Sequence, residues 1–141
     1  MARRDDVLNH LTKVPLFSAC SKKDLATVAK YSEHVKLKAG TQMTTQGEIG
    51  HEFFVIIDGK ATVNRDGKQL VVLGPGDSFG ELSLLDRAPR NATVVAETEV
   101  DTLVLGQREF SALLDIVPTL AHKLLIGLAR RVHATDTQKV N

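Results

Sequence analysis

The sequence predicts a mainly β fold with flanking helices, and three observations lead to that class. Between about residues 33 and 105, apolar residues alternate or form short runs, and turn residues separate these runs at short intervals. Before and after this stretch, at about residues 5–32 and 107–134, apolar residues recur at helical spacing. Many short strands between two helical regions indicate a β sandwich or a jelly-roll barrel.

The N-terminal region, about residues 5–32, is predicted to be helical. Ser21 and Asp24 have the spacing of a capping pair at the start of a helix, and Leu25, Val28 and Ala29 follow as an apolar stripe. The sequence Pro15-Leu16-Phe17, upstream of these residues, predicts a break in the helical region. We therefore expect helical segments on both sides of that break.

The β region is predicted at about residues 33–105. Apolar runs place strands at 35–37, 53–57, 61–63, 71–73, 92–96 and 103–105. Glycine, proline and aspartate separate these runs, as expected for turns. The pair Asp66-Gly67 predicts a two-residue hairpin turn between Val63 and Leu70.

The C-terminal region, about residues 107–134, returns to a helical pattern. Apolar residues from Phe110 to Val117 follow an i, i+3, i+4, i+7 spacing, and Pro118 suits the first turn of a second helix. In that second helix a leucine or valine recurs every four residues from Leu120 to Val132. This stripe predicts an amphipathic helix, and we expect the polar residues 134–141 to fray.

Composition and charge exclude several classes of function. Eighteen basic residues oppose seventeen acidic ones, which argues against the clustered positive charge of a nucleic-acid-binding domain. Cys20 is the only cysteine, and the five histidines form no pair at metal-ligand spacing. The sequence has no secretory segment and no apolar run of membrane-spanning length. It therefore predicts one cytoplasmic domain, residues 1–141, with no metal, no membrane association and no direct DNA binding.

The segment from residue 74 to residue 94, GPGDSFGELSLLDRAPRNATV, carries the chemistry. Gly80 permits a close backbone approach, and the residues after it are expected to form a short helical turn whose first N–H groups donate to an anion. Glu81 offers a carboxylate acceptor for hydroxyl groups, and Arg90 offers a planar fork for one phosphate. This pattern fits a ligand with one phosphate and a free ribose hydroxyl. The triphosphate-binding pattern GxxxxGK[ST] is absent.

This segment resembles the phosphate-binding cassette of cyclic nucleotide-binding domains, which occur in protein kinase A regulatory subunits, cyclic nucleotide-gated channels and the bacterial catabolite activator. The FGE-L-x-L and R-x-A-T order is complete, and the Gly47-Glu48 turn and the FFVI-x-x-G strand ending at Gly59 agree with it. The resemblance covers about residues 10–130. It implies a double-stranded β-helix (jelly-roll) barrel, a regulatory role without catalytic residues, and cAMP or cGMP as the ligand with no other cofactor.

The resemblance also implies roles for individual residues. Glu81 would bind the ribose 2′-hydroxyl, and Arg90 would hold the cyclic phosphate with help from nearby amides. Asn91 stands where family members carry Ala, Ser or Thr; Thr is associated with cGMP preference, so the choice between cAMP and cGMP stays open. Arg131 or Thr135 would reach the base from a C-terminal lid helix. The full set expected to contact the ligand is Phe79, Gly80, Glu81, Leu82, Ser83, Arg90, Asn91, Ala92, Val71, Val72 and Arg131.

Several alternatives remain at this stage. In isolation Arg90 would be a structural ion pair with Glu81 or Asp86, and Asn91 an ordinary polar strand residue. A metal-dependent cupin enzyme shares the barrel architecture but needs convergent histidines. The chain would pass ligand binding through its C-terminal helix to an unidentified effector, with homodimer formation through that helix, or it would be the regulatory part of a larger transcription factor, channel or enzyme.

Overall fold

A computed structural model describes the backbone of residues 4–140 and the side chains of residues 7–80, 84–130, 132 and 133. The helices are α1 (Arg4–Thr12), the 3-10 helix η1 (Pro15–Phe17), α2 (Lys22–Tyr31), α3 (Glu81–Asp86), α4 (Gln107–Ile116) and α5 (Pro118–Val140). The strands are β1 (Glu33–Leu37), β2 (Gln42–Thr44), β3 (Glu52–Asp58), β4 (Ala61–Arg65), β5 (Lys68–Leu73), β6 (Ser78–Phe79), β7 (Thr93–Ala96) and β8 (Val100–Gly106).

The strands form two antiparallel four-stranded sheets. Sheet A has the order β1-β8-β3-β6, and sheet B has the order β2-β7-β4-β5. The chain changes sheet at every strand connection except the β4–β5 hairpin. An apolar cluster contains residues from both sheets, which places it between them. This winding confirms the predicted jelly-roll barrel with helices before and after it.

Strand β3 explains why the sequence contains an uninterrupted apolar run rather than an alternating one. Phe53, Val55 and Ile57 face the helices and belong to a core built by sheet A, α1, α2, α4 and α5. Ile56 points the other way, into the barrel core. Because helices cover one face of sheet A and sheet B covers the other, both faces of β3 are buried.

The helix-side core joins the two ends of the chain. The Phe53 and Phe110 rings lie with centroids 5.1 Å apart, so α4 packs directly on β3. Leu84 of α3 and Leu120 of α5 belong to the same buried cluster. The short helix of the predicted phosphate segment therefore shares its core with the C-terminal helices.

The start of α2 confirms the predicted capping pair. The Asp24 backbone N–H donates to the Ser21 side chain over 3.1 Å, and the Ser21 N–H donates to the Asp24 carboxylate over 3.2 Å. The preceding residue, Cys20, is partly buried against the helix-side core. Burial raises the pKa of the Cys20 thiol, with a further contribution from the Asp24 charge, so the thiol stays protonated at neutral pH.

The β4–β5 turn also confirms its prediction. Asp66 and Gly67 both have positive φ, at 53° and 78°, and the strands pair from Arg65 and Lys68 outward. Two consecutive positive φ angles are characteristic of a type I′ turn, which matches the twist of the flanking strands.

The structure differs from the sequence predictions in three elements. The short strands β2 and β6 were not predicted, and α5 continues to Val140 beyond its predicted end near residue 134. Helices α4 and α5 are separated at Val117 by a bend of 107°. In the described part of the chain no single helix is long and apolar enough to span a membrane, although α4 and the first part of α5 reach that length and composition together.

Replacement of Leu113 by alanine tests the helix-side core. The Leu113 side chain is fully buried, so Leu113→Ala is expected to lower the free energy of unfolding by about 2–5 kcal/mol. Ile116→Ala on the same helix is the control, because Ile116 is half exposed, and it should change stability by about 0.5 kcal/mol. Urea denaturation measures both variants, and equal losses would contradict this assignment of the core.

Candidate ligand-binding site

Arg90 lies in the segment between α3 and β7, and its main chain is fixed on both sides. Its N–H donates to the Glu48 carbonyl over 2.7 Å, and its carbonyl accepts from the Gly47 N–H over 2.8 Å. The preceding Pro89 forms an isolated antiparallel bridge with Ile49. The predicted Gly-Glu turn therefore holds the backbone of the predicted phosphate-binding arginine.

The Arg90 side chain is buried, with 8% of its surface exposed. Nη1 donates to the Gly80 carbonyl over 2.9 Å, and Nη2 donates to the Glu52 carbonyl over 2.6 Å. These two carbonyls come from the start of α3 and the start of β3, and they fix the plane of the guanidinium. A cation held in this way, largely out of water, attracts an anion more strongly than an exposed arginine does.

Two glycines make room for this guanidinium. A Cβ at Gly50 would collide with Nε and Cζ of Arg90. A Cβ at Gly80 would lie 2.7 Å from Arg90 Nη1 and 2.7 Å from the Glu52 carbonyl oxygen, and Gly80 also has a φ of +101°. Both the space and the backbone angle therefore require glycine at position 80.

Gly80 is the N-cap of α3, so the predicted helical turn after it is present. The first N–H groups of a helix have no partner within the helix and are available to an anion. The side chains of Glu81, Leu82 and Ser83 lie outside the described residues. The roles assigned to those three side chains therefore stay predictions.

The residues around Arg90 have different environments. Phe79 stacks on Phe54 across β6 and β3, with ring centroids 4.9 Å apart. Ala92 is buried, and its carbonyl accepts from the Thr44 hydroxyl over 3.0 Å. Asn91 is exposed at the surface. The structure thus brings Phe79 and Ala92 into the barrel wall beside Arg90, with Asn91 at the solvent side.

Val71 and Val72 lie on opposite faces of sheet B. Val71 pairs with Val63, which packs against the barrel core, whereas Val72 pairs with Thr62 on the other face. Half of the Val71 surface is exposed although Val71 lies on the inner face; its strand, β5, is the edge strand of sheet B. Of the two valines, Val71 alone lies on the face of sheet B that is turned toward the barrel interior.

The lid residues proposed in α5 are incompletely described. The side chains of Arg131 and Thr135 lie outside the described residues, so their contact with a base stays a prediction. Leu124 and Leu128 are half buried, and they line a cavity of about 240 Å³ together with Leu16 of η1 and Phe53 of β3. This part of α5 therefore faces η1 and β3 across the cavity.

The groups that orient Arg90 leave no signal in the sequence. The carbonyls of Gly80 and Glu52 are main-chain atoms, which every residue carries and no motif reports. Gly50 is one of the glycines between the predicted strands, but its closeness to Arg90 brings together two segments that are distant in sequence. Among the side chains that the structure describes, no group of three or more His, Cys, Asp or Glu residues is arranged to hold a metal ion.

Comparisons with known proteins agree with this geometry. The family model described as cyclic nucleotide-binding domain matches residues 34–116. A cyclic AMP receptor protein from Thermus thermophilus is 31% identical over 129 residues, which are 88% of this chain and 60% of that protein. A cAMP-dependent protein kinase regulatory subunit from Schizosaccharomyces pombe is 39% identical over 105 residues, which are 74% of this chain and 26% of that protein.

A solved structure has the same fold as this chain. The catabolite activator protein of Thermus thermophilus superposes with a TM-score of 0.82 at 32% identity, over 88% of this chain and 61% of that chain. The chain thus spans less than two thirds of the length of these relatives. Because the family model matches more than half of the chain and the barrel holds a buried arginine beside a glycine-capped helix, this chain belongs to the cyclic nucleotide-binding domain family.

Proposed function

We propose that this chain is a regulatory module that binds cAMP and passes the binding event through its C-terminal helix to a partner. The observation that carries the proposal is the Arg90 guanidinium, buried and oriented by two main-chain carbonyls beside the first turn of α3. One oriented cation with adjacent amide donors suits a ligand with one phosphate charge. The proposal needs neither a metal nor a catalytic group.

We assign the ribose and base contacts to the same site. Glu81 is the first residue of α3, next to the carbonyl that orients Arg90, and we assign its carboxylate to the ribose 2′-hydroxyl. Val71 on the inner face of β5 is assigned to the base. An aliphatic side chain offers no hydrogen-bond donor to a guanine carbonyl, which favours adenine. The names of the two sequence relatives, a cyclic AMP receptor and a cAMP-dependent kinase subunit, support cAMP as the first ligand to test.

Leu84 provides the route from the ligand to the helices. It lies in α3 three residues after Glu81, is 5% exposed, and packs in the core that contains Leu113 and Leu120. If α3 tightens around a phosphate, Leu84 moves within this core, and α4 and α5 must repack. A small local change would thereby shift the equilibrium between two positions of α5.

The exposed face of α5 supports a homodimer as the partner arrangement. Leu125 and Val132 are seven residues apart and are 65% and 57% exposed. Together with Ala121 and Leu128 they alternate at intervals of four, three and four residues, which is the spacing of a coiled coil. The predicted apolar stripe from Leu120 to Val132 is therefore not one continuous face, because Leu120 is buried in the core whereas Val132 is exposed. A regulatory segment of a longer transcription factor, channel or enzyme is the alternative.

Removal of the Arg90 guanidinium tests the phosphate assignment. Arg90→Ala leaves a buried phosphate without its cation, at a cost of about 2–5 kcal/mol, so cAMP affinity is expected to fall by more than about tenfold. Arg108→Ala is the charge-matched control, because Arg108 lies on the exposed side of α4, and this variant should bind cAMP like the wild type. Isothermal titration with cAMP and cGMP measures both. A folded wild-type protein that binds neither nucleotide would refute the proposal.

An added methyl group at Gly50 tests the orientation of Arg90 without removing it. The new Cβ collides with a flexible side chain rather than with backbone, so Gly50→Ala should fold normally and displace the guanidinium. We expect a loss of cAMP affinity on the order of tenfold or more. Gly74→Ala is the control, because a Cβ there meets nothing within 4 Å. Unchanged affinity in Gly50→Ala would contradict the site geometry.

A charge on the exposed face of α5 tests the homodimer. Light scattering coupled to size exclusion should give twice the 15.4 kDa chain mass for the wild type and the single mass for Leu125→Asp. Leu70→Asp, which places the same change on the half-exposed strand β5, should leave the dimer intact. A monomeric wild type would exclude this arrangement.

A further inference from the structure

The tip of the β4–β5 hairpin is tied to the loop between β2 and β3. The Gln46 amide donates to the Asp66 carboxylate over 2.8 Å, and its carbonyl oxygen accepts the Asp66 backbone N–H over 3.0 Å. One side chain thereby holds both the backbone and the side chain of the first turn residue. These contacts fix the turn relative to the loop that also contains Gly47 and Glu48.

The same two segments hold the backbone that follows Arg90. Arg65 Nε donates to the Asn91 carbonyl over 2.9 Å. The Gln46 backbone N–H donates to the Thr93 hydroxyl over 2.9 Å. We use the name turn lock for the three residues that make these contacts, Gln46, Arg65 and Asp66.

The turn lock extends the support of Arg90 by one residue. The main chain of Arg90 is already bonded to Glu48 and Gly47, and the next carbonyl along the chain, that of Asn91, accepts from Arg65. The Arg65 bond is charge-assisted and is therefore stronger than a bond between neutral groups. Without it, the Asn91 carbonyl would lose its bond to the hairpin, and the nearest remaining link would be the pairing of Thr93 with Asn64 at the start of β7.

We infer that Arg65 is a positioning residue for the phosphate-binding arginine: it acts through the Asn91 carbonyl and sets where Arg90 enters the barrel. This inference rests on the proposed function. It assigns to a hairpin residue, outside the 74–94 segment, a part of the affinity for the cyclic phosphate.

The binding test compares two variants of the same turn. Arg65→Gln removes the bond to Asn91, and cAMP affinity is expected to fall by about three- to tenfold. Lys68→Gln removes the same charge from the residue that pairs with Arg65, and it should change affinity by less than about twofold. Equal losses of affinity in the two variants would overturn the inference, because they would show an effect of net charge rather than of the bond to Asn91. Unchanged affinity in Arg65→Gln would also overturn it.

A double-mutant cycle separates positioning from general destabilisation. In an Arg90→Lys background there is no guanidinium to position, so adding Arg65→Gln should change affinity by less than about twofold. Displacement of a fluorescent cAMP analogue measures all four proteins. Additive losses would overturn the inference, because they would place Arg65 in an effect independent of Arg90.

Hydrogen exchange decides the inference even if the wild type binds no cAMP. In the unliganded protein, Arg65→Gln should raise amide exchange of the peptide covering residues 88–94 by about threefold or more, with no change in β8. Unchanged exchange at 88–94 would overturn the positioning role whatever the affinity shows. Absence of cAMP binding by a wild type with the expected exchange pattern would refute the proposed function and leave the turn lock standing.

Discussion

The Arg90 guanidinium, held between the carbonyls of Gly80 and Glu52, is the constraint around which the rest of the site is arranged. A buried cation in an apolar barrel has to be hydrogen-bonded, and here main-chain carbonyls from two different segments do this. Those carbonyls can approach the guanidinium because positions 50 and 80 lack side chains. One arginine therefore dictates two glycines and the junction between β6 and α3.

The same constraint couples the site to the helices. Gly80 caps α3, so the carbonyl that orients Arg90 also begins the helix that carries Leu84 into the helix-side core. Sheet A separates this core from the barrel, and β3 contributes side chains to both. Under the proposed function, a ligand that repositions α3 would therefore act on the packing of α4 and α5 through this core.

The fold class was predictable because periodicity reports burial directly. The continuous run in β3, the alternation in β4 and the helical spacing from Phe110 to Val117 each follow from which faces are covered. The strands β2 and β6 escaped prediction because they are two or three residues long and contain polar residues. The same locality explains why the Asp66-Gly67 turn and the Ser21 capping pair were found: all of their chemistry lies within four residues.

The sequence by itself determined the barrel with its flanking helices and the glycine-capped turn after Phe79, and it singled out Arg90 as the candidate cation for one phosphate. These features depend on periodicity or on residues close together in the chain. The tertiary structure decided the rest. It placed Val71 inside the barrel and Val72 outside, brought Gly50 against Arg90, and joined Arg65 to Asn91 across 26 positions. These contacts involve main-chain atoms and strand register, which a sequence pattern does not encode.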